Sequence, residues 1–62
     1  MNINSAIIQG ANVLKQNFIK NPYLDSEILM TKAIKKDRKY ILVNFNKDLE
    51  TNDLNAFQKL IE

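Results

Sequence analysis

Cysteine and histidine are both absent from this 62-residue chain, and the two absences exclude a good deal of chemistry. Without cysteine there is no disulfide framework and no thiolate metal site. Without histidine the commonest zinc ligand and the usual general base near neutral pH are missing. Glycine occurs once, at Gly10, and proline once, at Pro22. Loops that cradle phosphates need several glycines so that backbone amides can approach the ligand, so one glycine inside a helical pattern excludes dinucleotide and nucleoside-triphosphate binding. No run approaches the ~20 apolar residues of a membrane helix, and Met1–Ser5 lacks the basic start and apolar stretch of a signal peptide. A cytoplasmic location with no membrane partner is the default expectation. A chain of this size fits one small domain, which buries only about 60% of the surface its unfolded form exposes, so packing alone must hold it.

What is present is helical periodicity. Ile3, Ile7, Ala11, Leu14 and Phe18 recur at spacings of four and three, one apolar stripe of a first helix with Asn4 or Ser5 as its N-cap. Gly10 lies beside that stripe, where its missing side chain costs about 1 kcal/mol against Ala but lets a neighbouring helix approach closely. Lys20-Asn21-Pro22 breaks the pattern, because the residue before a proline is steered out of the helical region. Asn21 then caps a second helix from Pro22 to Ile34, in which Leu24, Ile28, Leu29, Met30, Ala33 and Ile34 spread around much of the circumference. A helix apolar on most sides is expected to be central, with Ile28 and Leu29 in the core. Tyr40 to Phe45 reads as a strand on propensity alone. No second strand-like run exists to pair with it, so a short helix opened by Arg38 and capped by Asp37 is the better reading. Asn44 to Asp48 is a polar turn, Leu49 anchors the approach, and Thr51 caps a last helix whose stripe is Leu54, Phe57 and Ile61, with Leu60 alongside. The expected fold class is all-α, a bundle of four or five short helices.

Candidate sites are few. Asp25 and Glu27 are close in sequence but two residues apart on a helix, so they point in different directions and cannot work as an acid–base pair; capping and solvation account for both. Lys35, Lys36, Arg38 and Lys39 cluster beside Tyr40, a recipe for phosphate contact, but Asp37 interrupts them and their position suits the negative end of the second helix. The net charge of +2 does not demand a polyanionic partner. A helix-turn-helix lacks its tight glycine turn, and Tyr40 to Val43 is too apolar to lie in a groove. Nucleic acid is therefore a weak candidate partner.

One segment carries a family signature. Asn21-Pro22-Tyr23-Leu24-Asp25-Ser26-Glu27-Ile28-Leu29, followed by Asp37-Arg38, Ile41-Leu42, Leu49 and Leu60, resembles the small helical N-terminal domain of the release-factor glutamine methyltransferases, the HemK or PrmC group. The match spans Ile7 to the end and consists mostly of scaffold residues. It departs from the family where a glycine often follows the second helix and this chain has Lys36-Asp37, and where Ser or Thr often follows the leucine and this chain has Glu50 before Thr51.

The resemblance implies a parent enzyme that transfers a methyl group from S-adenosylmethionine to the side-chain nitrogen of a glutamine in peptide-chain release factors. Its cofactor loop and Asn-Pro-Pro-Tyr motif would lie in a larger C-terminal catalytic domain beyond Glu62, and residues 1–62 would form a domain that positions the release factor and meets that catalytic domain. No catalytic, cofactor-binding or metal residue is assigned in this chain, and S-adenosylmethionine is expected only for the parent. The chain stops at Glu62 directly after Leu60-Ile61, without a helix stop signal, which reads as a cut through a longer polypeptide. The alternative is a stand-alone helical interaction module without catalysis.

Overall fold

The computed structural model describes residues 1–62 as four helices and no strand: α1 Ile3–Gln16, α2 Pro22–Ile34, α3 Arg38–Val43 and α4 Thr51–Ile61. The all-α class stands, at four helices. Pro22 occupies the first turn of α2, where its missing N–H costs nothing. α2 packs against α1, α4 and α3, the central place its apolar circumference predicts. Ile3, Ala6 and Ile7 of α1, Met30 of α2, Ile41 of α3 and Phe57 of α4 form the core, with Leu29, Leu49, Leu54 and Ile61 packed against it.

The α1 N-terminus differs from expectation. Its cap is Asn2, whose side chain accepts from Ser5 N–H at 2.7 Å. The polar turn after α3 crosses over this end. Ile3 N–H donates to the Lys47 carbonyl and Asn4 N–H to the Phe45 carbonyl, each at 3.0 Å. Three of the donors that a helix start leaves free are thus satisfied, one by the cap and two by chain more than 40 residues away in sequence. This turn positions α4 to run alongside α1 in the same direction: Ile3 lies by Leu49 and Asp53, and Gly10 by Phe57 and Ile61.

At the other end α1 stops at Gln16, so Phe18 falls outside the stripe it was expected to continue. Phe18 N–H donates to the Lys15 carbonyl and Ile19 N–H to the Leu14 carbonyl, both at 3.1 Å, a Schellman closure whose left-handed residue is Phe18 at φ 63°. Its side chain is 95% exposed. α2 ends similarly on Lys35 at φ 58°, with Lys36 N–H bonded to the Thr31 carbonyl.

Two further expectations are corrected. Thr51 is the first residue of α4 and not its cap; Glu50 holds that position and makes no side-chain capping bond, and neither does Asn21 before α2. Ile28 is 45% exposed, because α2 turns its Leu24–Ile28 edge away from the other helices; Leu29 is the neighbour that packs on the core. Asp37, by contrast, caps α3 as read, accepting from Tyr40 N–H at 2.9 Å.

Candidate functional site

Three regions carry side chains beyond core packing. The first is the seam where α1, α2 and α4 cross. A Cβ placed on Gly10 would lie 2.7 Å from Phe57 Cζ, 2.7 Å from Ser26 Oγ and 2.9 Å from Ile61 Cδ1, so the close approach expected at this glycine is real. Ser26 is fully buried there, and its hydroxyl donates to the Ile7 carbonyl at 2.8 Å, which satisfies a polar group that burial would otherwise penalise. No hydrophobic pattern flags a serine; its clue was its place on the same α2 face as Met30, one turn on. Beside this seam an open groove of about 310 Å³ runs between α1 and α4, with Gly10 and Phe57 in its wall and Gln9 and Gln58 among its lining residues.

The second region is the α2–α3 corner. Glu27 is not a solvated residue, as expected from its place near the helix start; its side chain is only 4% exposed, and its Oε1 meets the Arg38 guanidinium through Nε, while Arg38 itself is 65% exposed. No hydrogen-bond donor is aligned with that oxygen, so the guanidinium charge is its compensation. Arg38 reaches Glu27 because α3 folds back along α2. Asp25, two residues earlier, faces elsewhere, so the two carboxylates do not converge. Around the same corner Lys47 Nζ donates to the Tyr40 hydroxyl at 3.1 Å, and Lys36 and Lys47 stand 5.4 and 5.7 Å from the Tyr40 ring centroid. The hydrogen bond to Tyr40 holds the Lys47 ammonium above the ordinary lysine value, with the charge of Tyr40 acting in the same direction. Of the basic cluster, Arg38 is thus committed to Glu27 and Lys36 leans on Tyr40, while Lys35 has become the left-handed end of α2. The cluster is a set of local contacts more than a uniform cationic face.

The third region is the α1–α2 turn. Phe18, Ile19, Tyr23 and Leu24 fall within seven residues and all stand open to solvent. Lys15 and Lys20 flank them, and no acid occurs before Asp25. Sequence reasoning assigned Phe18 to the core, and the signal that it does not belong there was the Asn17 that precedes it at a helix end with no glycine.

No group of three or more His, Cys, Asp or Glu side chains converges to hold a metal ion, and no helix is long and apolar enough to cross a membrane. Residues 5–62 match the family described as the PrmC N-terminal domain. The chain is also 37% identical over 54 residues to a bifunctional methyltransferase of Rickettsia bellii (strain RML369-C), an alignment that covers 87% of this chain and 10% of that protein. The chain thus spans about a tenth of the length of this curated relative. No solved structure matches. With nearly its whole length inside the matched region and four helices packed as one core, the chain belongs to the PrmC N-terminal domain family.

Proposed function

We propose that these residues are the substrate-positioning and interdomain module of an S-adenosylmethionine-dependent methyltransferase that methylates a glutamine side-chain nitrogen in peptide-chain release factors. The observation that carries the reading is the family match over residues 5–62, joined to buried and capping polar groups that serve the fold. Glu27 is neutralised by Arg38, Asp37 caps α3, and Ser26 is bonded to a backbone carbonyl. Such groups organise a fold; none stands beside an open space with a second titratable group to share a proton.

S-adenosylmethionine does not fit this domain. The single glycine sits mid-helix, where even a methyl group has no room, so no flexible glycine loop exists to accept the cofactor. The cofactor belongs to the catalytic domain that we place after Glu62. Binding energy from a remote part of a protein substrate lowers the barrier only if it helps align the reacting group, and a separate helical domain that grips the release factor is a means to that alignment.

The test is methyl transfer by the parent enzyme with and without residues 1–62. Loss of transfer to the intact release factor, with transfer to a short glutamine peptide retained, is the expected result; unchanged transfer to the intact factor contradicts the reading. The 62-residue chain alone is expected to transfer no methyl group.

A further inference from the structure

Phe18 is out of place by two independent measures. A bulky aromatic in the left-handed region is strained relative to glycine, the residue such helix ends prefer. A phenyl ring 95% exposed forgoes the burial that normally justifies an aromatic in a small domain. The same turn also leaves Ile19, Tyr23 and Leu24 open, between Lys15 and Lys20.

Where α4 ends bears directly on what covers this patch. α4 runs alongside α1 in the same direction, and Glu62 lines the same groove as Val13. Val13 lies four residues before Asn17, about one helical turn or ~6 Å along the axis. Leu60, on the last turn of α4, is also half-exposed. Chain leaving Glu62 therefore emerges at the end of the bundle that carries the α1–α2 turn, while the turn that crosses the α1 N-terminus is at the far end.

We propose that Phe18 is the aromatic anchor by which this domain docks onto the catalytic domain that follows it, in an apolar recess of that domain with an acidic rim facing Lys15 and Lys20. This rests on the reading of the chain as the N-terminal domain of a longer methyltransferase. The left-handed backbone turns the ring away from the α1 core, and a rigid aromatic with little side-chain entropy to lose is suited to anchor an interface. The flanking lysines fix register and orientation more than they add affinity.

The chain has no cysteine, so a single introduced thiol reports coverage of the patch. Lys20→Cys is placed in the 62-residue chain and in the polypeptide read on from Glu62 in its coding sequence, with Lys39→Cys at the opposite end as control; modification by iodoacetamide is followed by mass spectrometry of the peptide concerned. Labelling at position 20 is expected to be about tenfold slower in the longer polypeptide, with position 39 unchanged, and Phe18→Gly should restore the fast rate. Equal labelling at position 20 in both chains overturns the docking proposal and leaves the N-terminal-domain reading standing. Slow labelling that Phe18→Gly does not restore overturns Phe18 as the anchor. A coding sequence that stops at Glu62 overturns both.

Discussion

Gly10 and Phe18 lie eight residues apart on the same stretch of chain, and each occupies a place where the other type of residue would be expected. Gly10 sits mid-helix with an ordinary backbone, where alanine would be favoured locally; Phe18 sits at a left-handed helix end, where glycine would be. At Gly10 the reason is close packing, because Phe57, Ser26 and Ile61 fill the space a Cβ would need. At Phe18 no contact within the domain explains the residue. Local preference is overruled in both places, once by the core and once, on the docking proposal, by a surface. Conflicts of this second kind are where function is expected to lie.

If the seam is the packed region and the turn the open one, substitutions should separate along that line. Phe57→Ala empties the centre of the seam and should cost about 3–5 kcal/mol, enough to unfold a domain this small; a melt close to that of the unsubstituted chain breaks the comparison at its packed side. Arg38→Gln leaves the Glu27 carboxylate buried without a countercharge. Because the arginine is itself well exposed, its loss should cost about 1–3 kcal/mol, short of the larger penalties of fully buried pairs, and Glu27→Gln in the same background should recover part of it by urea denaturation. Ile28→Ala, on the open edge of α2, should cost under about 1 kcal/mol where Leu14→Ala, on the buried stripe, costs about 2–5. Equal costs would mean that the Leu24–Ile28 edge is covered. The smallest effect is expected far from both regions: Tyr40→Phe removes the acceptor that raises the Lys47 pKa, so that by NMR titration the lysine returns toward its ordinary value. Since the folded pKa is the raised one, whatever this contact contributes is complete at neutral pH and is lost only as alkaline pH passes the folded value.

Much of the framework was legible in the sequence because it rests on local rules. Pro22 fixes the start of α2, Asp37 caps α3, and the lack of any partner run makes Tyr40 to Val43 helical despite its strand-like residues. Gly10 was legible as a close approach, and the family was legible in the Pro22–Leu29 segment. The misses have a common cause in contacts distant along the chain. Carbonyls after α3 satisfy the α1 N-terminus, so α1 begins two residues earlier than its expected caps allow. Glu27 is buried because α3 folds back and brings Arg38 to it, which no helical spacing within α2 reveals. Ile28 is half-exposed because three neighbouring helices leave part of the α2 circumference free. Phe18 continues the spacing of its stripe but not its helix, and periodicity is blind to a chain that has already turned.

Urea denaturation of Gly10→Ala and Phe18→Gly, measured side by side in the 62-residue chain, tests most directly whether packing rules one position and a surface the other. Gly10→Ala should lose on the order of 1–2 kcal/mol, because crowding against Phe57 and Ser26 outweighs the gain in helix propensity, and Phe18→Gly should gain about 0.5–1 kcal/mol as backbone strain is relieved. Shifts of the same sign, or a loss at Phe18→Gly, would contradict the account by showing that Phe18 already serves the stability of this domain.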